Sequence, residues 1–342
     1  MALSPFLKRL LAGEHLSSAE AEEAMNVILE GSASPVQIGA LLVALRMKGE
    51  TAGELLGFAR AMRAKATPVD AGAGDGPLLD IVGTGGDGHS TFNISTAAAF
   101  VAAGAGVRVA KHGNRSISSR CGAADVLEGL GIRLLADPDL MGRAIREIGV
   151  GFLFAPALHP AMKHAQPVRR ELKIRTVFNL LGPLTNPAGA NCQLTGAPSL
   201  EAAELMARVL AELGLRRAFV VHGSDGLDEI TLTGATYAFE VRDRSVERRD
   251  LSPADFGLPE ARLEDFRGGD AQENAAIVRG VLEGETGPRR DIVLANAAAA
   301  LVAAGRARDF REGVAVAAES IDSGAARRKA EGLAAFTQKH AG

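Results

Sequence analysis

Apolar and polar positions divide the chain into an N-terminal part with purely helical spacing and a longer part in which short apolar runs alternate with helical stretches. Residues 1–68 show only the helical spacing, and Ser17 and Thr51 each precede a glutamate by three positions, a capping-box pattern that predicts helix starts. The helix expected over residues 35–47 carries apolar side chains on nearly all sides, which predicts burial inside a domain or between subunits.

Beyond a linker rich in Gly, Ala and Asp at residues 68–77, the alternation of apolar runs and helical stretches predicts a parallel sheet covered by helices. The strands are expected near residues 78–82, 107–110, 150–155, 192–197 and 217–222. Polar alternation over residues 236–250 favours antiparallel edge strands, and the chain from residue 270 onward is expected to be helical. The predicted fold class is α/β, with a small all-helical domain at residues 1–68 and a larger domain at residues 69–342 whose mostly parallel central sheet is covered by helices.

A glycine-rich loop, Gly-Thr-Gly-Gly-Asp-Gly over residues 83–88, directly follows the first expected strand. Glycines permit positive φ angles and let a ligand approach the backbone closely. A helix is expected from Thr96, with Ser95 as its N-cap, so the loop joins a strand to a helix start and predicts an anion site. The carboxylate of Asp87 would repel a bare phosphate and fits better beside a sugar hydroxyl or a metal-neutralised diphosphate.

The loop also matches the G-x-G-x-x-G pattern of dinucleotide-binding folds, at Gly83, Gly85 and Gly88. That pattern requires an acidic residue about 20 positions further on, and residues 103–108 contain none. A nucleotide-binding P-loop is excluded as well, because no Gly-Lys-Ser/Thr follows. Taken alone, the loop is equally compatible with a structural turn between a strand and a helix.

A second loop, Lys-His-Gly-Asn-Arg over residues 111–115, follows the second expected strand. Lys111 and Arg115 can hold phosphate oxygens, and the Asn114 amide can both donate and accept hydrogen bonds. The alternative is a solvated turn with two surface cations. Together, the two loops predict a pocket for a phosphorylated, strongly anionic ligand.

Composition narrows the classes of function and the compartment. The net charge of −3 and the lack of a long basic run give no indication of nucleic-acid binding. Two cysteines in 342 residues predict no disulfide framework and favour a reducing, cytoplasmic setting. Neither a signal-peptide pattern nor an apolar run of transmembrane length is present, so no membrane association is expected.

The motifs now taken together identify a known family, because the chain resembles the anthranilate phosphoribosyltransferases over nearly its whole length. The matching segments are residues 83–87, 93–96, 111–115, 119, 121–128, 159–163, 175–187 and 222–229. Several are shared in part with the pyrimidine nucleoside phosphorylases, and residues 175–187 favour the transferase.

The resemblance implies a fold and a reaction. A small helical domain packs against a larger α/β domain, takes back a segment near residues 167–187 and often forms a homodimer, and the site lies in the cleft between the domains. The implied reaction transfers the phosphoribosyl group of 5-phosphoribosyl 1-diphosphate to the amine of anthranilate, in tryptophan biosynthesis. An aryl amine is neutral at pH 7, so the step needs leaving-group activation and alignment rather than a strong base.

The resemblance also assigns the donor site and the metal. Contacts to the diphosphate substrate fall on Gly83, Gly86, Asp87, Thr91, Asn93, Ser95, Thr96, Lys111 and Ser119. Mg²⁺ is implied as cofactor, with Ser95, Asp228 and Glu229 as its ligands. Adjacent carboxylates offer the hard oxygen ligands that Mg²⁺ prefers, although such a pair in a loop is more often merely solvated.

Anthranilate contacts fall, by the same resemblance, on Gly83, Asn114, Arg169, His112 and His159. A guanidinium at Arg169 suits the benzoate carboxylate, whereas the neighbouring Arg170 is expected to be a surface charge. His112 and His159 are expected either to line the aromatic pocket or to be structural, and neither is assigned acid-base chemistry. Lys111 and Asn114 are expected to position the transition state.

Two other classes of function remain open on the sequence. A pyrimidine nucleoside phosphorylase would need neither Mg²⁺ nor a carboxylate clamp, so the Asp228–Glu229 pair and Arg169 argue against it. A non-catalytic relative that binds nucleic acid should show a basic face and eroded motifs, whereas this chain is slightly acidic with intact loops.

Overall fold

The computed structural model describes residues 2–72, 74, 76–86, 88–115 and 121–340. The N-terminal part is helical, as predicted, and consists of α1 (Ser4–Leu11), α2 (Ser18–Leu29), α3 (Pro35–Lys48) and α4 (Ala52–Lys65). Reciprocal capping boxes begin α2 at Ser17 and α4 at Thr51, which confirms both predicted helix starts.

A seven-stranded sheet forms the centre of the rest of the chain. Its strands are β1 (Leu78–Gly83), β2 (Arg108–Gly113), β3 (Val150–Phe154), β4 (Cys192–Gly196), β5 (Arg217–Gly223), β6 (Thr236–Arg242) and β7 (Ser245–Leu251). The order is β3-β2-β1-β4-β5-β6-β7, and the first five strands in this order are parallel. Strands β6 and β7 continue the sheet antiparallel to β5, so the predicted antiparallel edge is confirmed.

Helices connect and cover the strands. They are α5 (Ile94–Gly104), α6 (Ala123–Gly129), α7 (Pro138–Ile148), α8 (Ala155–Leu158), α9 (Gln166–Leu172), α10 (Phe178–Leu181), α11 (Leu200–Glu212), α12 (Pro253–Phe256), α13 (Ala271–Leu282), α14 (Pro288–Ala303), α15 (Phe310–Asp322) and α16 (Ala325–His340). In α14 every residue from Ile292 to Ala303 is buried. In the described part of the chain, no helix is both long and apolar enough to cross a membrane.

Two hydrophobic cores hold these layers together. One lies between the sheet and the alanine-rich helices α5 and α14. The other joins α1–α4 to α11 and to side chains of β5 and β6, and it also takes in Val168, Phe178, Leu181 and Leu184 from the middle of the chain. The helical N-terminal part is therefore not a separate core, because distant segments complete it.

The start of α5 differs from the prediction. The helix begins at Ile94 with Asn93 at the N-cap position, so Ser95 lies in the first turn and the prediction of Ser95 as N-cap was wrong. The Asn93 side chain makes no cap bond, because its Oδ1 accepts a hydrogen bond from Asn274 Nδ2 at 3.1 Å. The Ser95 hydroxyl is thereby free of a capping role and reaches toward β2.

Helix α3 also differs in part from its pattern. Its side chains Ile38, Leu41 and Leu42 are buried in the second core, whereas Val36 and Met47 are 81% and 83% exposed. Together with Leu11 of α1, which is 77% exposed, these are large apolar side chains in contact with solvent. One side of α3 is thus buried within the chain and the other is uncovered.

Candidate active site at the carboxyl ends of the parallel strands

The candidate site residues gather at one edge of the sheet, because parallel strands bring their carboxyl ends together. The glycine-rich loop follows β1, the Lys111–Arg115 loop ends β2, and the Asp228–Glu229 loop follows β5. His159 follows β3 and α8 at the same edge. The structure therefore unites segments that are far apart in the chain.

The glycine-rich loop is in direct contact with Asp228. The Gly85 N–H donates to Asp228 Oδ2 at 2.7 Å, and both Gly85 and Gly86 have positive φ angles, of 66° and 73°. A Cβ atom at Gly83 would lie 2.7 Å from Asp228 Oδ2, so only glycine permits this approach. The glycine-rich loop is thus in direct contact with one of the two carboxylates that are expected to bind metal.

The loop that carries Asp228 and Glu229 packs closely against β4 and α14. A Cβ atom at Gly196, the last residue of β4, would lie 1.6 Å from the Asp228 carbonyl oxygen. Asn296, fully buried on α14, accepts a hydrogen bond from Ile230 N at 3.0 Å and donates from Nδ2 to Ile230 O at 3.0 Å. Asp228 is buried and Glu229 half-buried, so their orientation is set by backbone packing.

Lys111 is a buried cation in the floor of the site. Its Nζ donates to Ile81 O at 2.5 Å and to Ser95 Oγ at 3.3 Å. Burial lowers the pKa of Lys111, and the negative charges of Asp80 and Glu229 act in the opposite direction. The contact between Lys111 and Ser95 brings together a predicted phosphate ligand and a predicted metal ligand.

Asp80 is a site residue that sequence reasoning missed. It is fully buried on β1, where Oδ1 accepts from His112 N at 3.0 Å and Oδ2 accepts from Asn186 Nδ2 at 2.8 Å. Burial raises the pKa of its carboxyl to about 6, although the hydrogen bond from Asn186 and the charge of Lys111 oppose this shift. An acid inside the apolar run Leu-Leu-Asp-Ile-Val was the available signal.

His112 and His159 form a buried pair. His112 Nδ1–H donates to Gly182 O at 3.1 Å, so its Nε2 is an acceptor for His159 Nε2–H at 3.3 Å. Burial lowers the pKa of His112 to about 3 and that of His159 to about 4. Both rings are therefore neutral at pH 7, with their tautomers set by a chain of hydrogen bonds.

Arg169, on α9, lies over an aromatic ring. Its guanidinium carbon is 5.1 Å from the centroid of the Phe178 ring, a cation–π contact. Among the described residues, no carboxylate pairs with this guanidinium, and burial lowers its pKa. Arg170 is exposed, as predicted. The Arg169 guanidinium is thus positioned by the Phe178 ring and can bind an anionic group.

The stretch from Arg175 to Asn186 touches both sides of the site, and sequence reasoning assigned it no site residue. Arg175 Nη1 donates to the carbonyls of Gly85 and Gly86, at 3.0 and 2.9 Å. Further along, Asn186 Nδ2 donates to Asp80 and to Ala110 O, both at 2.8 Å. Its match to the family motif was a signal of importance but not of role.

The remaining predicted residues lie around the same edge. Thr91 forms an isolated bridge with Arg267, and Thr96 is buried with no described partner for its hydroxyl. Asn114 is exposed and its Oδ1 accepts from Arg115 N at 2.7 Å. Two predicted donor-site residues, Asp87 and Ser119, lie outside the described residues.

Arg115 differs from its predicted phosphate role. Its Nη1 donates to Asp125 at 2.8 Å and to Glu128 at 2.7 Å, an ion-pair network on the start and end of α6. The guanidinium is thus engaged by carboxylates. Of the two cations predicted in this loop, Lys111 is the one buried within the site.

The donor set suits a metal that is shared with a ligand. The described residues contain no group of three or more His, Cys, Asp or Glu side chains placed to hold a metal by themselves. Asp228, Glu229 and the Ser95 hydroxyl are hard oxygen donors. Mg²⁺ is commonly bound by one or two carboxylates together with substrate phosphates, so this set fits Mg²⁺ carried on a diphosphate.

Comparison with known proteins extends the picture to the whole chain. Residues 75–327 match the model of the glycosyl transferase family, a/b domain, and residues 4–66 match its helical bundle domain. The anthranilate phosphoribosyltransferase of Solibacter usitatus is 64% identical over 336 residues, which cover 98% of this chain and 99% of the relative. The enzyme of the same name from Moorella thermoacetica is 54% identical over 335 residues, 98% of each chain.

Solved structures give the same result. The anthranilate phosphoribosyltransferase of Thermus thermophilus superimposes with a TM-score of 0.92 at 49% identity, covering 97% of this chain and 99% of that one. The Saccharomyces cerevisiae enzyme, solved in complex with PRPP and Mg, has a TM-score of 0.88 at 32% identity and 98% coverage of both chains. The chain belongs to the anthranilate phosphoribosyltransferase family.

Proposed function

We propose that this protein transfers the 5-phosphoribosyl group from 5-phosphoribosyl 1-diphosphate to the amine of anthranilate, giving N-(5-phosphoribosyl)anthranilate and diphosphate in tryptophan biosynthesis. The observation that carries the proposal is the hydrogen bond of 2.7 Å between Gly85 N and Asp228 Oδ2. This contact between the glycine-rich loop and a carboxylate supports the proposal, because a magnesium diphosphate needs backbone N–H groups and hard oxygen ligands close together.

The donor substrate is assigned to the glycine-rich loop, the start of α5 and Lys111. Its contacts are Gly83, Gly86, Asp87, Thr91, Asn93, Ser95, Thr96, Lys111 and Ser119. The buried Nζ of Lys111, at 3.3 Å from Ser95 Oγ, supports this assignment, because a buried ammonium group attracts phosphate oxygens more strongly than one in water.

Mg²⁺ is proposed as the cofactor, held by Ser95, Asp228 and Glu229. When bound, it would stabilise the negative charge that develops on the leaving diphosphate. The chain's own contribution is to orient these ligands, through Asn296 and the glycines of β1 and β4. The donor set, rather than a preformed cage, supports a metal that arrives with the substrate.

Anthranilate is assigned to Gly83, Asn114, Arg169, His112 and His159. The guanidinium of Arg169 rests on Phe178 and can pair with the benzoate carboxylate in a bidentate way. His112 and His159 are neutral at pH 7, which suits a wall for a neutral aryl amine better than a proton-transferring role. Lys111 and Asn114 are proposed to align the reacting groups, and no general base is required.

The assembly and compartment are also proposed. We assign residues 1–68 and the segment near 167–187 to one domain and the rest of 69–342 to the other, with a homodimer formed through the small domain in the cytoplasm. The exposed apolar side chains Leu11, Val36 and Met47 on two adjacent helices support the homodimer. No nucleic acid and no membrane are proposed as partners.

The test is the loss of anthranilate fluorescence when purified protein is mixed with 5-phosphoribosyl 1-diphosphate and Mg²⁺. The expected result is a loss that stops on addition of EDTA and resumes with excess Mg²⁺. A folded protein that leaves the fluorescence unchanged would refute the proposal, and thymidine with inorganic phosphate would then test the phosphorylase reaction.

A further inference from the structure

Arg175 joins the two walls of the site. It lies between α9, which carries Arg169, and α10, which carries Phe178. From there its Nη1 reaches the carbonyls of Gly85 and Gly86, which are 90 and 89 residues away along the chain, at 3.0 and 2.9 Å. The stretch from Arg175 to Phe178 therefore contacts the glycine-rich loop through Arg175. It also contacts Arg169, the residue proposed to bind anthranilate, because the Phe178 ring centroid is 5.1 Å from that guanidinium.

The glycine-rich loop needs such support because its glycines are flexible. Gly85 and Gly86 have consecutive positive φ angles, of 66° and 73°, and a Cβ at Gly85 would meet nothing within 4 Å. Glycine loses more conformational freedom on ordering than any other residue, so an unsupported loop of this kind is costly to hold in one geometry. Asp228 holds the Gly85 N–H on one side, and Arg175 holds the carbonyls on the other.

The direction of these bonds matters for an anionic ligand. A carbonyl oxygen that faced a diphosphate would repel it, whereas an N–H group would attract it. The guanidinium of Arg175 donates to both carbonyls and so keeps their oxygens occupied. Its Nη2 has no hydrogen-bond partner among the described residues, so the loop carbonyls are the described anchors of this side chain.

We infer that Arg175 is a positioning residue for the donor substrate, which fixes the carbonyls of Gly85 and Gly86 so that this part of the backbone is ordered before the diphosphate binds. This inference rests on the proposed function. It assigns Arg175 no contact with the substrate and no step of the reaction. Its effect is on the free energy of donor binding.

The experiment compares R175Q and R175K with the wild-type protein in steady-state kinetics, and donor binding is measured by calorimetry with Mg²⁺ and without anthranilate. For R175Q we expect the KM and the Kd of 5-phosphoribosyl 1-diphosphate to rise about 10-fold, the scale of one charge-assisted hydrogen bond, with the anthranilate KM changed less than about 2-fold. R175K keeps the charge but has a shorter side chain with a compact, strongly hydrated ammonium group, and it should raise both donor constants about 3-fold. The control is R170Q, which alters an exposed arginine in the same stretch and should leave every constant unchanged.

Unchanged donor constants in R175Q, or equal rises for both substrates, would overturn the inference. If R175Q does not fold, R175K decides: a raised donor KM supports positioning, and wild-type constants assign Arg175 to stability alone. Inactive wild-type protein would refute the proposed function instead, and the calorimetric comparison of donor binding would still separate the two results.

Discussion

At the scale of single residues, the site depends on ionisable groups that the fold has removed from water. Four such groups are buried on β1, on β2 or directly after α8, namely Asp80, Lys111, His112 and His159. Each is satisfied by hydrogen bonds to backbone or to another buried side chain, which is the condition under which burial of polar groups is tolerated. The consequence is a set of protonation states fixed by structure rather than by solvent.

The buried histidines predict a dependence of stability on pH. Folding keeps both imidazoles neutral, so the unfolded chain binds more protons between pH 6.5 and about 4, and the free energy of unfolding falls as pH falls through that window. The lowered pKa of His159 alone accounts for a loss of about 3 kcal/mol in the free energy of unfolding as pH falls through this window. Asp80 acts in the opposite direction, because its raised pKa adds stability at low pH that is lost as pH rises toward about 6.

We therefore expect H159Q, whose amide can still donate to His112, to show a shallower loss of stability on acidification than the wild type. Urea unfolding at several pH values from 7 to 4.5 would measure this. Parallel curves for H159Q and the wild type would contradict the assignment of a neutral buried pair.

Arg169 gives a second prediction at this scale. Arg169→Ala should raise the anthranilate KM roughly 10- to 100-fold, since a hydrogen bond to a charged group contributes about 1.5–3 kcal/mol, and should change the donor KM far less. Steady-state kinetics with each substrate varied in turn measures the difference. Arg170→Ala removes a neighbouring exposed arginine and should be silent. Equal rises in both constants would count against a carboxylate contact.

At the scale of elements, most strands were predictable and their order was not. Parallel strands covered on both faces become continuous apolar runs, so β1 to β5 were found within a few residues of their bounds. The order β3-β2-β1-β4-β5 depends on crossovers that no local pattern encodes. Ser95 was expected as the N-cap, but α5 begins at Ile94, and Asn93 at the cap position bonds to Asn274, which is distant in sequence.

The same limit applies to the site. The glycine-rich loop, Lys111 and the Asp228–Glu229 pair carry their chemistry in local motifs, and the structure brings these motifs to one edge. Asp80 and Arg175 act through contacts with segments far away in the chain, so their residue types alone could not reveal them.

Helix α4 offers a prediction about packing. A Cβ atom at Gly57 would lie 2.1 Å from the Ser18 carbonyl oxygen and 2.8 Å from Ala21 Cβ, because α2 and α4 approach closely there. Gly57→Ala should destabilise the protein by about 1–3 kcal/mol through overpacking, despite the better helix propensity of alanine.

Gly53→Ala in the same helix is the matched control, since its Cβ would meet nothing within 4 Å. It should be neutral or stabilising by about 0.4–1 kcal/mol. Urea unfolding of the two variants beside the wild type makes the comparison. A Gly57→Ala variant as stable as Gly53→Ala would show that the two helices separate at little cost.

At the scale of the whole molecule, the uncovered side of α3 bears on assembly. Val36 and Met47 are 81% and 83% exposed, whereas a monomer rarely leaves such side chains together on one helix. We expect sedimentation of the wild type to report a dimer and V36E/M47E to report a monomer, since two charges buried in an interface would be unpaired. Q272E, on the exposed face of α13, should remain dimeric. A monomeric wild type would contradict the proposed homodimer.

The second hydrophobic core has a consequence for folding during synthesis on the ribosome. Helices α1 to α4 are made first, but the side chains that complete their apolar surface, from Val168 to Leu184 and from α11, are made more than 100 residues later. Throughout that interval the nascent helices present an unfinished apolar face. A stalled or cleaved product that ends in the linker before β1 would therefore expose apolar surface and tend to aggregate. Chaperones and proteases should recognise such a fragment.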